Sequence, residues 1–117
     1  IMYGHSTGVF NGKVFVRPDA QKTNAFQQNT NIVADRGAAI NTKPELEIYA
    51  DDVKCAHGCT VGQFDLDALF YLKSRGIDEK AAKALLVEAF LADVLSSVSS
   101  TELSAEIMSL YTERHGW

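Results

Sequence analysis

The feature that most constrains the fold of this chain is a change in hydrophobic periodicity near Phe64. Residues 3–63 are rich in Gly, Asn, Asp and Thr and carry short apolar clusters of strand length. From Asp65 onward, apolar residues recur at the spacing of amphipathic helices. The sequence therefore predicts a mixed fold, with strands in residues 1–64 and a small domain of two to three helices in residues 65–117.

Turn-forming residues separate the apolar clusters of the first half. Asn11-Gly12 has the composition of a hairpin turn, and residues 18–19, 41–44 and 50–52 indicate further turns. A meander would pair neighbouring strands directly, whereas a β-solenoid would stack short strands into coils. No strict repeat is visible, so the pattern alone leaves both architectures open. The apolar clusters are residues 9–10, 14–16, 32–34, 46–49 and Val53.

Capping signals divide the second half into helices. Asp65 is suited to cap a first helix, and Gly76 stands where a left-handed C-terminal stop is expected. A second helix is predicted to start at Asp78, and Ser99 with Glu102 has capping-box spacing for a third.

Each predicted helix carries one apolar stripe that is expected to pack in the core. A second apolar face would indicate a partner, and its candidates are Leu91, Leu95 and Met108. The three stripes are Leu66, Leu69, Phe70 and Lys73; Ala82, Leu85, Leu86, Ala89, Phe90 and Val94; and Leu103, Ile107, Leu110 and Tyr111.

Composition narrows the functional classes. The 117 residues are 46% hydrophobic and 22% charged, with a net charge of -4 and no basic run, which disfavours nucleic acid as a partner. No apolar run approaches the ~18 residues of a membrane span. Two cysteines without a secretory signal indicate a reducing compartment. We therefore expect a cytoplasmic protein, or one of the plastid stroma in a eukaryote. The start at Ile1, within patterned sequence, predicts a piece of something longer.

Soft metal ligands are concentrated in one segment. Cys55, His57 and Cys59 lie within five residues and include both cysteines of the chain. Thiolate and imidazole are ligands that iron, zinc and iron–sulfur clusters prefer. In an extended strand the three side chains would share one face, because alternate residues point to the same side.

Strand geometry limits what this segment can bind. At ~3.3 Å per residue, Cys55 and His57 lie roughly 6.6 Å apart and could meet at one metal, whereas Cys55 and Cys59 are separated by about 13 Å. A bend at Gly58 would be needed for a three-ligand site or a disulfide. On spacing alone, a buried cysteine beside a strand histidine is the favoured interpretation. No orienting third residue or oxyanion-hole motif supports a Cys–His nucleophile, so we expect no enzyme.

The residues around this segment resemble the SufB/SufD family, which are scaffold proteins of iron–sulfur cluster assembly. The similarity rests on residues 41–58 (NTKPELEIYADDVKCAHG) followed by Thr60-Val61-Gly62. It extends through residues 9–14, 18–23, 68–77 and 88–92, covers roughly residues 8–95, and is greater to the SufD branch.

This resemblance implies a specific fold and set of partners. Members have a right-handed parallel β-helix (β-solenoid) followed by a C-terminal helical domain, so this chain would hold the terminal coils in residues 1–64. A SufD-like subunit pairs with SufB and docks the ABC ATPase SufC. The candidate partner-binding residues here are Glu47, Tyr49, Leu69, Phe70, Leu91 and Leu95.

The resemblance also implies a role for the Cys–His pair. His57 matches the family histidine at the SufB–SufD junction, and Cys55 the neighbouring motif cysteine. An iron–sulfur cluster would be held there transiently and shared with the partner, with none expected in this chain alone. Cys59 departs from the family pattern. It is interpreted as an extra metal ligand, a redox-sensitive thiol or a neutral substitution, of which the neutral substitution is favoured over a ligand role.

Two functional hypotheses follow. The first is a scaffold in which Cys55 and His57 contribute to the nascent cluster. The second is an interaction module that docks the ATPase and has no metal role. An unpaired coil edge would also favour a homodimer of this chain.

Overall fold

The computed structural model describes the backbone of residues 1–115 and the side chains of residues 1–113, so the last two residues of the predicted helical domain lie outside it. The described residues form strands followed by helices, which confirms the predicted mixed fold. The chain divides into two compact units, with the boundary between Gln63 and Phe64. The elements are β1 (Thr7–Val16), β2 (Asn24–Ile32), β3 (Ala39–Ile48), β4 (Lys54–Gly62), α1 (Leu66–Ser74), α2 (Glu79–Leu95) and α3 (Thr101–His115).

The strands of the first unit pair with the next strand but one. β1 pairs with β3 and β2 with β4, both in parallel, so that Thr7 lies beside Ala39 and Asn24 beside Lys54. Neighbouring strands along the chain do not pair within a sheet, unlike those of a meander. Each sheet of the described residues has two strands, and every strand therefore keeps one free edge.

The hairpin predicted at Asn11-Gly12 is wrong, because both residues lie inside the uninterrupted strand β1. Gly12 serves close packing instead of a turn. A Cβ atom there would overlap Gln27 Nε2 and would come within 2.7 Å of Phe10 Cζ. Glycine thus lets side chains approach the backbone of β1.

The turn predicted at residues 41–44 is also wrong, because this segment belongs to β3. The N–H of Ala39 donates to Ser6, and that of Tyr49 to Val16, so the N–H groups of odd-numbered β3 residues face β1. Alternate residues of a parallel strand present their N–H groups to opposite sides. Pro44 therefore lacks an N–H that would have faced the free edge, and its presence costs the sheet no hydrogen bond.

The two sheets face each other through alternating side chains. Thr42 Oγ1 on β3 donates to Asn29 Oδ1 on β2 at 2.8 Å, and Gln27 reaches Gly12. Two residues further along each strand on the same faces, β1 and β3 carry Val14 beside Leu46, and β2 and β4 carry Ala25 beside Cys55. The space between the sheets therefore changes from polar near Asn29 to apolar near Val14.

Side-chain caps fix the helix starts. Asp65 Oδ1 accepts hydrogen bonds from the N–H groups of Asp67 and Ala68, and Asp78 Oδ1 accepts one from Ala81. Gly76 has the left-handed φ of 85° expected of a helix stop. The third cap is one residue later than predicted. Ser100 Oγ, not that of Ser99, accepts the N–H of Leu103 at 3.2 Å.

The packed faces of the helices agree only in part with the predicted stripes. Leu69, Ala82 and Val87 are buried, and Leu91, Leu95 and Met108 are half-buried. Leu69 and Ala82 thus confirm part of the stripes predicted on α1 and α2, and Leu86, Phe90 and Tyr111 of the predicted stripes are half-buried. Residues of the predicted stripes that are exposed instead are Leu66, Phe70, Lys73, Leu85, Ala89, Val94, Leu103, Ile107 and Leu110. Across residues 1–115, no helix combines the length and apolar character of a membrane span.

Candidate functional site

Cys55, His57 and Cys59 lie on β4, which is extended throughout. Their alternating positions put all three on one face of the strand, as the spacing predicted. Gly58 produces no bend, so the two cysteines stay about 13 Å apart along the strand, and both are free thiols. Cys55 is half-buried, whereas His57 and Cys59 are exposed.

The Cys55 end of this face is the apolar end. Cys55 pairs with Ala25 of β2, and both side chains are half-buried. The described residues contain no group of three or more His, Cys, Asp or Glu side chains arranged to hold a metal ion. The assignment of Cys55 and His57 as cluster ligands therefore stays a prediction, and it rests on two ligand side chains.

Cys59 lies at the polar end. Its Sγ is 3.4 Å from Thr42 Oγ1 and 3.9 Å from Asn29 Oδ1, and the amide of Asn31 also donates to Asn29 Oδ1 at 2.7 Å. The neutral interpretation of Cys59 did not include these neighbours. They come from β2 and β3, and sequence reasoning missed them because their proximity depends on how the sheets face each other. The polar alternation of Asn29 and Asn31 was the available signal.

Glu47 and Tyr49 form a polar cluster with Lys13 on the outer side of the β1–β3 sheet. Tyr49 Oη donates to Glu47 Oε1 at 2.5 Å, and Lys13 Nζ lies 3.0 Å from Glu47 Oε2. These contacts lower the pKa of Glu47, through Tyr49 first and Lys13 second. The Glu47 carboxylate in turn raises the pKa values of Tyr49 and Lys13. The ring of Phe15 lies 5.5 Å from that of Tyr49 and extends this exposed surface.

The other candidate partner-binding residues differ in accessibility. Phe70 is 74% exposed and is available for contact, whereas Leu69 is 8% exposed and packs within the helical unit. Leu91 and Leu95 are half-buried on the packed side of α2. Sequence reasoning missed Val94 and Leu110 as accessible apolar residues because it placed both in the core.

Comparison with known proteins adds an independent observation. Residues 1–90 match the family model described as SUF system FeS cluster assembly, SufBD core domain. An iron–sulfur cluster assembly SufBD family protein of Synechocystis sp. is 46% identical over 103 residues, which cover 88% of this chain and 23% of the relative.

Two further relatives show similar coverage. The iron–sulfur cluster assembly protein SufD of Escherichia coli is 41% identical over 106 residues, covering 91% of this chain and 25% of its own. The chloroplastic protein ABCI7 of Arabidopsis thaliana is 41% identical over 101 residues, covering 85% and 21%. This chain therefore spans 21% to 25% of the length of these three relatives.

Proposed function

Because this chain belongs to the SufBD family of iron–sulfur cluster assembly proteins, we propose that it forms part of a scaffold subunit of that process. Two relatives are named as iron–sulfur cluster assembly proteins, which supports a role in cluster assembly. In this proposal the subunit is not an enzyme. It holds a cluster transiently, pairs with a SufB-like subunit and docks a SufC-like ATPase. The free cysteines and the chloroplastic relative favour the cytoplasm or the plastid stroma.

The strand pairing supports the β-helix as the finer description of the fold. Parallel pairing of β1 with β3 and of β2 with β4 is the arrangement that successive coils of a solenoid require. In this description, β1 and β2 form one coil and β3 and β4 the next. The free edges of β3 and β4 are then the surface that a partner subunit would meet.

The observation that carries the cluster role is the placement of Cys55 and His57 on one face of a strand with a free edge. Two ligands are half of a tetrahedral set, and a second subunit at that edge would complete it. A shared set of this kind suits a transient cluster, because neither subunit holds the cargo alone.

Exposed apolar residues on the helices favour the second function, an interaction module that docks the ATPase without any metal role. Phe70 on α1, Val94 on α2 and Leu110 on α3 are each more than half exposed. Such residues mark a protein-binding surface when they form one contiguous patch, whereas single exposed apolar residues are normal.

A double variant separates the two functions. We expect Cys55→Ala with His57→Ala to reduce cluster formation in the complex by more than about tenfold, the lower end of effects typical around metal sites. Binding of the ATPase should not change. Thr60→Ala, on the opposite face of β4, is the matched control. Cluster content is measured by iron and sulfide analysis, and unchanged content in the double variant would leave only the interaction module.

A further inference from the structure

Helix α3 has two apolar faces, one of which packs within the helical unit. On the packed face, Met108 and Tyr111 are half-buried, and Ser104 Oγ lies 3.5 Å from the carbonyl oxygen of Leu95 on α2. The second face lies roughly 100° around the helix, because each residue turns the chain by about that angle. It consists of Leu103, Ile107 and Leu110, which are 47%, 37% and 57% exposed.

These three side chains form one contiguous surface, the α3 stripe. Residues three and four positions apart are neighbours on a helix, and the stripe extends about 10 Å along α3. The spacing of four and then three residues is that of the d, a and d positions of a heptad, along which helices associate. A stripe of this kind differs from single exposed apolar residues, which are normal on protein surfaces. It therefore fits another helix.

An acidic edge borders the α3 stripe. With Ile107 at position a of the heptad, Glu106 and Glu113 occupy the g positions beside the seam. Neither carboxylate forms an ion pair with any of the described residues. Glu102 stands four residues before Glu106, and a hydrogen bond from its own backbone N–H, followed by one from Ser100, lowers the pKa of Glu102. The edge is therefore negatively charged at neutral pH.

Charge complementarity selects the kind of partner. Residues 84–113 contain no Lys, Arg or His, and Arg114 follows them. Two copies of α3 side by side would bring their acidic edges together without a basic counterpart. A helix with lysine or arginine beside its own apolar seam would instead place cations near Glu106 and Glu113, and charges at such positions set partner choice. The acidic residues of this segment are Glu88, Asp93, Glu102, Glu106 and Glu113.

We infer that the α3 stripe is a docking site for a basic amphipathic helix of a partner protein. Leu103, Ile107 and Leu110 are its apolar anchors, and Glu106 and Glu113 are its charged contacts. The inference goes beyond the proposed function and does not rest on it, because it uses no residue of β4 and requires no iron.

The probe is a fluorescent synthetic peptide of three heptads, with leucine at positions a and d and lysine at the others. The full chain is titrated into it, and fluorescence anisotropy measures binding. We expect the lysine peptide to bind with an affinity that falls as salt is added. A peptide with glutamate in place of lysine should not bind. Absence of binding by the lysine peptide, or equal binding of both peptides, would overturn the inference.

Ile107→Gln with Leu110→Gln tests the apolar anchors. We expect the affinity for the lysine peptide to fall by more than about tenfold, because a few buried anchors carry most of the energy of an interface. Leu66→Gln with Leu85→Gln is the matched control, since both leucines are exposed on other helices of the same unit. An unchanged affinity in the α3 variant, or an equal loss in the control, would contradict the inference.

Glu106→Gln with Glu113→Gln tests the acidic edge. We expect an affinity lower by about threefold or more at low salt, with a weaker dependence on salt. Glu88→Gln with Asp93→Asn changes the net charge equally on α2 and should bind the peptide as the native chain does. Equal effects of the two double variants would show that net charge alone attracts the peptide, and the inference would be wrong.

Amide NMR locates the bound peptide, and sedimentation tests a second copy as the alternative occupant. We expect the lysine peptide to shift the signals of Leu103, Ile107 and Leu110. If the peptide does not bind, and Ile107→Gln with Leu110→Gln instead reduces self-association of the chain, a second copy covers the stripe and the inference fails. Binding of the peptide to the Cys55→Ala, His57→Ala variant should equal that of the native chain, whatever this variant does to cluster formation.

Discussion

At the scale of single residues, Glu79 at the start of α2 shows how local charges alter a side chain. Its carboxylate lies 2.9 Å from Lys83 Nζ and 3.0 Å from Lys73 Nζ. Hydrogen bonds from Lys83 first and Lys73 second lower the pKa of Glu79 from 4.5 to about 2. Because the folded pKa is below the unfolded one, this contribution to stability is present above pH 4.5 and is lost as the pH falls towards about 2.

We expect Lys83→Gln to raise the pKa of Glu79 towards 4.5, because it removes the larger of the two interactions. Carboxyl-carbon NMR across an acid titration measures the midpoint. The shift should shrink in high salt, since these groups are exposed. Lys80→Gln is the control on the same helix. Identical Glu79 midpoints in the native chain and Lys83→Gln would exclude the ion pair.

Gly12 provides a prediction about packing between the sheets. A methyl group there would overlap Gln27 and the ring of Phe10. Gln27 can change rotamer, but the ring must shift, so we expect Gly12→Ala to lower the free energy of unfolding by about 1–3 kcal/mol. Gly62→Ala is the matched control, because a Cβ atom at Gly62 meets nothing within 4 Å. Urea denaturation measures both, and equal effects would show that Gly12 is not needed for close packing.

At the scale of elements, local sequence signals correctly predicted local features, namely helix caps and a helix stop. The caps Asp65 and Asp78 and the stop at Gly76 depend on neighbours within a few residues, and the sequence placed them correctly. The stripe predicted on α2 was only partly correct, because this helix is apolar on several sides: Ala82 is buried, whereas Leu85 and Val94 are exposed. Periodicity then cannot decide whether Val87 or Leu85 faces the neighbouring helix, and only tertiary packing does.

The N-terminal cap of α3 gives a prediction about two neighbouring serines, Ser99 and Ser100. Ser100 Oγ accepts the N–H of Leu103, whereas the capping-box spacing had selected Ser99. We expect Ser100→Ala to destabilise the chain by about 1 kcal/mol, as the loss of an N-cap typically does. Ser99→Ala should have a much smaller effect. Thermal or urea unfolding followed by circular dichroism at the helical band measures the stability of both variants. A larger loss of stability in Ser99→Ala than in Ser100→Ala would show that Ser99 is the cap, as the capping-box spacing predicted.

At the scale of the whole molecule, the pairing of strands is the least predictable feature. Asn11-Gly12 carries the local signature of a hairpin, yet it lies within β1 because β3 supplies its partners. Such pairing joins residues far apart in the sequence, and no local pattern encodes it. The same non-local arrangement brings Thr42 and Asn29 to Cys59. The sequence therefore predicted the Cys–x–His spacing but could not predict the polar neighbours of Cys59.

Free strand edges predict self-association of this chain. The N–H of Lys54 donates to Thr23, so the N–H groups of even-numbered β4 residues face β2 and those of His57, Cys59 and Val61 face the free edge. An open row of donors and acceptors is a template for another strand. We therefore expect a dimer that forms with increasing concentration, detectable by sedimentation.

Val61→Pro tests whether the β4 edge forms that dimer. It removes one edge-facing N–H without removing a bond to β2, so it should shift the chain to monomer at concentrations where the native chain is dimeric. Val61→Thr keeps the N–H and reduces the apolar side chain, and it should remain dimeric. If both variants dissociate, side-chain burial rather than strand pairing drives association. If neither does, the dimer forms elsewhere, and the β4 edge remains open to a different subunit.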